Sequence, residues 1–305
     1  MRVLNLVPSA NSNAYRGQVR ALRDHGVNCA TLAVPGAHVP GERSRSVADY
    51  LVHLARALRS GREFDLVHAN QGVVAPAALA LGRPTVVSLW GTDLYGSLGP
   101  VSRGCARLAD ATVVMSSAMA DSLDVHCRVI PHGVDAARFR PTDRASARQS
   151  LGWGDGHHVL FPYAPERQVK DFPRAERVVD DVGDRIDGPV ELQAVSDVPH
   201  DRMPTYVNAA DALLVTSAHE GSPNAVKEAL ACGLPVVSTP VGDVPARLDG
   251  VAPSTTATTD SALADALADV LRGGERSNGR ESIQELSQDR TARELAAVYR
   301  EVLGG

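Results

Sequence analysis

The stretch that decides the fold is Ser217 to Pro240, SAHEGSPNAVKEALACGLPVVSTP. Glu220 and Glu228 stand eight positions apart in it, and Gly221, Ser222, Pro223 and Asn224 follow the first of them. Those four residues read as a loop turning into a helix. Ser222 suits the N-cap and Pro223 the first helical position. Ala225, Val226, Ala229 and Leu230 then recur at helical spacing and give one apolar face. Gly233 stops the helix, and Pro235-Val236-Val237-Ser238 reads as a buried strand. Upstream, Ala212-Leu213-Leu214-Val215 is a second apolar strand. The unit is strand, loop, short helix, strand.

Its chemistry follows from that order. Backbone N–H groups over Gly221 to Asn224 open the helix and carry the positive end of its dipole, a place for phosphate. Gly221 lets a ligand approach the backbone closely. Glu220, before the helix, can accept hydrogen bonds from the hydroxyls of one ligand group. Glu228, about one and a half turns along, reaches those of another. An anion site between two hydroxyl acceptors describes a nucleotide-diphosphate sugar. The spacing alone equally describes an ordinary crossover with two surface glutamates.

The run HEGSPNAVKEALACGLPVVSTPVGDVP, His219 to Pro245, resembles the retaining glycosyltransferases of family four. The two glutamates followed by Ala231-Cys232-Gly233-Leu234-Pro235-Val236-Val237 are specific to that family. Further matching pieces come in order: Asp65 to Ala69, Val129 to Asp135, Phe139-Arg140-Pro141, and Asn208 to Asp211. The resemblance covers nearly the whole chain and is weakest over the first 60 residues.

It implies an α/β chain of GT-B fold, with two Rossmann-like, doubly wound parallel-sheet domains facing a cleft. Residues 1–140 would bind the acceptor and 141–287 the nucleotide sugar, and a terminal helix over 288–305 would return to the first domain. The implied reaction moves a hexosyl group, with retention, from a nucleotide-diphosphate sugar to a hydroxyl of a glycan or lipid-linked glycan. It implies no cofactor and no metal. Glu220 then contacts sugar hydroxyls and favours the developing positive charge, while Glu228 holds the ribose. Lys170 and Arg167 clamp the diphosphate, with the amides of Gly221 to Asn224. Val198 lies at the base-binding place, and His132 and Gly133 sit beside the cleft on the donor side. Tyr15, His68, Trp90 and Asp93 fall on the acceptor side.

Three departures stand out. Trp90 occupies a place where many relatives carry a histidine that touches the sugar, so that role does not transfer. Asparagine is commoner than His132. The spacing of Arg167 to Lys170 is unusual. Arg167 reads either as the clamp or as a solvated loop arginine. His68 ends a strand and reads either as a substrate contact or as a packed histidine. Asp93 either offers a polar contact or caps the turn after it. His132 reads either as a phosphate donor or as an exposed linker residue.

Composition sets the bounds. The chain has 305 residues, 44% hydrophobic and 22% charged, enough for two α/β domains with cores of their own. The apolar run Gly72–Gly82 is far shorter than the roughly 20 residues a membrane span needs. The opening Arg2 to Val7 reads as a strand rather than a signal peptide. Cys29, Cys105, Cys127 and Cys232 follow no metal or redox spacing, and reduced, buried thiols in a cytosolic protein are the expectation. Only two lysines occur, Lys170 and Lys227, and both lie in site segments. Lysine is therefore not this chain's generic surface charge.

Residues 1–140 carry 15 arginines against 10 acids, while 141–305 carry 16 basic residues against 26 acids. A basic first half suits a phosphorylated acceptor or an anionic membrane. Nucleic acid fits poorly, since aromatics are only 4% and no basic cluster is interleaved with them. A helix over 46–60 carries Val47, Leu51, Leu54 and Leu58 on one stripe, flanked by Arg43, Arg45, Arg56, Arg59 and Arg62. It reads as a half-buried helix with a solvated basic face, or as a membrane-docking one.

The first half alternates strands at 2–7, 27–33, 64–68, 84–89, 111–115 and 127–130 with helices, as a parallel sheet requires. Gly152, Gly154 and Gly156 mark the connection that follows as a loop and hinge. Strands at 157–162, 189–194 and 211–215 and helices at 171–184, 201–209, 261–272, 278–286 and 288–302 complete the reading. Two rival functions share the fold and the donor site: a nucleotide-sugar epimerase and a non-catalytic nucleotide-sugar-binding subunit.

Overall fold

The computed structural model describes residues 1–36 and 45–304. Two compact units share the chain: Met1–Gly133 with Gln288–Gly305, and Val134–Ser287. Each is built on its own parallel sheet.

The first sheet has six strands, β1 (Arg2–Val7), β2 (Asn28–Ala33), β3 (Leu66–Asn70), β4 (Thr85–Leu89), β5 (Ala111–Val114) and β6 (Cys127–Val129). Their order is β2-β1-β3-β4-β5-β6, all parallel. β1, β3 and β4 are buried on both faces, which is why their residues do not alternate between apolar and polar; Asn5, His68, Asn70, Thr85 and Ser88 are buried with the apolar residues around them. The order reverses between β1 and β3, and in such sheets ligands bind beyond the carboxyl ends at that switch point. A cavity of about 290 Å³ opens beyond the ends of β1 and β2, lined by Pro8, Ser9, Asn11, Val34, Gly36 and Arg45. The helix Gln288–Gly304 packs on the helix Asn13–Asp24 and buries Ala292, Leu295, Ala296 and Tyr299. It joins the unit whose strands lie some 160 residues or more upstream, because its apolar face matches theirs.

The second sheet holds β7 (His157–Phe161), β8 (Val190–Ala194), β9 (Ala212–Val215), β10 (Val236–Ser238) and β11 (Thr255–Thr256) in the order β11-β10-β9-β7-β8. Its switch point lies between β7 and β9. The loops leaving those two strands are tied together. Thr216 Oγ1 donates to the carbonyls of Lys170 and Asp171 at 2.8 and 3.0 Å, and the Ala218 N–H donates to the Val169 carbonyl at 2.9 Å.

Four readings need correction. The division falls after Gly133, not at 140, because Phe139 is 1% exposed and packs in the second core with Leu160 and Leu230. The presumed hinge contains a helix, Arg144–Leu151. Asp143 caps it by accepting from the Ser146 N–H at 2.8 Å, and Gly152 ends it at φ +69°. Residues 278–286 form successive turns rather than a helix, held by Ile283 and Leu286 in the core and by Arg280 donating to the carbonyls of Ala136 and Phe139. Lastly, the helix Val47–Ser60 is half-buried, but not through its whole stripe: Val47 is 77%, Leu51 61% and Leu58 46% exposed, Leu54 packs partly buried against the core, and His53 and Ala57 are the residues that face it. Arg43 lies outside the described residues. Cys127 is half-buried, and the other three cysteines are buried; all four are free thiols.

Candidate active site

The loops after β7 and β9 bring Lys170, Tyr163, Ser217 and Glu220 together. Lys170 closes a short 3₁₀ turn and is 4% exposed. Its ammonium pairs with Glu220 Oε1. Ser217 Oγ donates to the same oxygen at 2.8 Å. The ammonium also lies 3.8 Å from the centre of the Tyr163 ring, a close cation–π contact. Burial pushes the Lys170 pKa down, against the pull of Glu220. Burial, then the charge of Glu220, pushes that of Tyr163 well up. The Tyr163 hydroxyl is buried without a hydrogen-bond partner among the described residues. Arg167 is exposed, with its guanidinium 5.9 Å from the Tyr163 ring.

The helix after β9 is Asn224–Ala231, one position later than Ser222 as N-cap requires. Pro223 takes the cap position with an extended backbone. It has no N–H, so the amides facing the loop are those of Gly221, Ser222 and Asn224. Ser222 does not cap. Its hydroxyl donates to Asp243 Oδ2 at 2.8 Å, where Arg247 Nε also donates at 2.9 Å. The fully buried Lys227 lies in the field of Asp243, and burial lowers its pKa to about 8. Gly242, at φ +58°, lets the two loops touch: a Cβ there would stand 2.5 Å from the Gly221 carbonyl oxygen. The 221–224 loop thus rests on a charged cluster beneath it.

Glu228 lies on that helix, half-buried. His200 Nε2 donates to its Oε1 at 2.9 Å, and Arg138 donates to His200 Nδ1 at 3.2 Å. Val198, in the loop after β8, is partly buried against the second core. No described residue donates to the second oxygen of Glu220 or Glu228.

The first unit spends most of its expected site residues internally. His68 is fully buried, with Nδ1 2.6 Å from the Tyr299 hydroxyl and Nε2 2.7 Å from Ser88 Oγ. Both ring nitrogens are used, so His68 is the packed histidine, and burial pushes its pKa down to about 3. The Tyr15 hydroxyl is 2.6 Å from Thr31 Oγ1, and its pKa rises to about 12 through burial. Asp93 accepts from the amides of Gly72, Trp90 and Gly91 at 2.7, 2.9 and 2.9 Å. It is a loop cap and offers no free oxygen to an acceptor. Trp90 meets His132 edge to face at 4.5 Å, with its indole N–H buried and without a hydrogen-bond partner among the described residues. His132 is 6% exposed, not an exposed linker residue, and it groups with the first unit, as does Gly133.

Tyr163, Ser217, His200, Arg138 and Asp243 escape the sequence reading. Tyr163 carried one signal, its place directly after β7. The others become visible only through partners distant in sequence, Ser217 excepted, whose partner is three residues on.

A family model described as glycosyltransferase family 4 matches residues 10–138, and one described as glycosyl transferases group 1 matches 176–273. A D-inositol 3-phosphate glycosyltransferase of Actinosynnema mirum is 32% identical over 211 residues, 56% of this chain and 51% of that protein. The chain thus spans about half the length of that curated relative. Among solved structures, a sucrose-phosphate synthase from Thermosynechococcus elongatus superposes with a TM-score of 0.77 at 17% identity over the full length of both chains. The Anabaena protein HepE in complex with UDP-glucose gives 0.71 at 16% identity, covering 99% of this chain and 100% of that one. With two parallel-sheet α/β units matched along their whole length by such structures, the chain has the GT-B fold.

Proposed function

We propose that the chain is a retaining glycosyltransferase that moves a hexosyl group from a nucleoside-diphosphate sugar to a hydroxyl acceptor, without a metal ion. The donor occupies the second unit and the acceptor the first. The observation that carries this is the buried Lys170–Glu220 pair at the switch point of the second sheet, beside the loop amides of Gly221, Ser222 and Asn224. Charge grows on the leaving diphosphate as the glycosidic bond breaks. A fixed ammonium and amides at a helix start stabilise that charge where it develops. Glu220, bearing the opposite charge, suits the hexose hydroxyls and the oxocarbenium-like carbon. HepE structures holding UDP and UDP-glucose, and the relative named a glycosyltransferase, support a nucleotide-sugar donor. Among the described residues no group of His, Cys, Asp or Glu gathers that could hold a metal.

The test is turnover of a panel of nucleoside-diphosphate sugars with hydroxyl acceptors, in excess chelator. Glycoside formation there is the expected result. Activity that chelator abolishes and magnesium or manganese restores removes metal independence. A changed sugar with donor alone indicates an epimerase, and binding without turnover indicates a binding subunit.

The exposed stripe Val47, Leu51 and Leu58 favours a second element, peripheral contact of the first unit with an anionic membrane. Arg56, Arg59 and Arg62 follow on the same segment. Each basic group near an anionic leaflet is worth about 1 kcal/mol and is screened by salt. Among the described residues no helix is long and apolar enough to cross a membrane. Co-sedimentation with anionic vesicles at low salt, lost at high salt and with neutral lipid, is expected. Equal partition to both lipids, or to neither, removes the membrane and leaves the transferase reading untouched.

A further inference from the structure

His200 joins three segments that are far apart in sequence. It sits in the loop after β8, its Nδ1 accepts from Arg138 near the start of the second unit, and its Nε2 donates to Glu228 on the helix after β9. The direction of both bonds is fixed by chemistry. A guanidinium can only donate, so Nδ1 holds its lone pair toward Arg138. The ring proton is therefore on Nε2, and Glu228 Oε1 is the acceptor. Arg138 is itself placed by Asp135: its backbone N–H donates to Asp135 Oδ1 at 3.0 Å, and its Nε lies 3.7 Å from Oδ2. The imidazole leans on the ring of the buried Phe139, with centroids 5.2 Å apart. Three polar groups in series, Asp135, Arg138 and His200, thus converge on one carboxylate oxygen and leave the other to a ligand.

A carboxylate free to rotate accepts hydroxyls from many directions. One held through Oε1 presents Oε2 in a single direction, which discriminates between ligands that do and do not place a hydroxyl there. We propose that His200, set by Arg138, is a positioning residue that aims Glu228 at the ribose hydroxyls of the donor and makes nucleotide recognition selective for ribose over deoxyribose. This rests on the donor-binding reading above. The selectivity arises at Glu228, and the imidazole supplies its geometry without touching the nucleotide.

The experiment titrates the full chain with UDP and 2′-deoxy-UDP, and with GDP and 2′-deoxy-GDP, by calorimetry. The wild-type chain is expected to bind the ribo form of at least one pair about 10- to 100-fold more tightly, since losing one hydrogen bond to a charged group typically has that effect. His200→Phe keeps the ring and removes both bonds. It should bring the ratio to within about threefold of one while the deoxy affinity stays within about twofold. His200→Gln should retain most of the selectivity, because its amide can accept from Arg138 and donate to Glu228. Arg138→Met, a change at a partly exposed position, should lower the ratio several-fold, and it decides the matter if the His200 variants do not fold. A purely structural role would weaken both nucleotides together and leave the ratio unmoved; that result overturns the proposal. Wild-type binding of a nucleoside diphosphate with no preference for the ribo form also overturns it, and leaves the donor-binding reading standing. No binding of any of the four removes both.

Discussion

Glu220 and Glu228 ride on one loop-and-helix unit, and each is held through a single carboxylate oxygen. The holders differ in kind. Glu220 is gripped by a buried ammonium and a serine hydroxyl, Glu228 by an imidazole whose proton is placed by an arginine behind it. An ammonium is a point charge with three donors and can transfer its allegiance to an arriving diphosphate without leaving its place. On the proposed reading, the Lys170–Glu220 pair therefore opens as the donor binds, releasing the carboxylate to the hexose and the cation to the phosphates. The His200–Glu228 bond has no such competitor and persists. One corner is built for a change of partners during the reaction and the other for constancy. Mutation of the first should act on turnover and of the second on binding.

Lys170→Ala tests the first half of that contrast and carries the largest effect. Removing one preorganised donor from the site of growing charge typically costs about 3–4 kcal/mol, roughly 100- to 1000-fold in kcat. Donor affinity should fall much less. Steady-state kinetics across a donor titration measure both. A variant within twofold of the parent in kcat would show that the leaving group lies elsewhere.

The contrast was only half legible in the sequence. Both glutamates, the loop amides and Lys170 could be found, because a parallel sheet imposes strand, loop and helix in a fixed order and the letters of that unit are distinctive. Nearly every strand was placed for the same reason. What holds the glutamates was not legible. Lys170 lies 50 residues from Glu220 and His200 lies 28 from Glu228, so local spacing says nothing of either contact. His68 illustrates the same limit in the first unit: its partner Tyr299 is 231 residues away, and only the packing of the terminal helix reveals that the ring is sealed in. The helix Arg144–Leu151 is hidden for a different reason: the glycines at 152, 154 and 156 point to a hinge and outweigh the local cap that Asp143 forms with Ser146. Ser222 misled because its hydroxyl prefers a carboxylate 21 residues on to the helix start beside it.

Glu228→Gln tests the second half of the contrast. The amide keeps the size and can still accept from His200, but the charge that draws the ribose hydroxyls is gone. The donor KM should rise about tenfold while kcat stays within about threefold, the pattern of lost uniform binding. Product formation against donor concentration separates the two parameters. A fall in kcat at unchanged KM would place Glu228 in the transition state instead, and the two corners would no longer differ in kind.

Ser217→Ala asks how much of the grip on Glu220 is the hydroxyl and how much the ammonium. Ser217 is 1% exposed and donates to the oxygen that Lys170 also holds. Removing it leaves no polar group stranded, because the carboxylate keeps its charged partner. The cost is therefore that of one ordinary hydrogen bond, about 1 kcal/mol or roughly fivefold in kcat. When Lys170 turns to the diphosphate, however, the serine becomes the only internal donor of the two that still orients Glu220. The loss should consequently appear in kcat rather than in the donor KM, as for Lys170→Ala but far smaller. Additivity sharpens the point. If the lysine has turned to the diphosphate by the transition state, the two donors act on different groups, and the loss in kcat from Ser217→Ala should be about the same with and without Lys170. A serine effect that vanishes in the Lys170→Ala background would mean that both donors still hold Glu220 together in the transition state, and that the exchange of partners inferred for this corner does not occur.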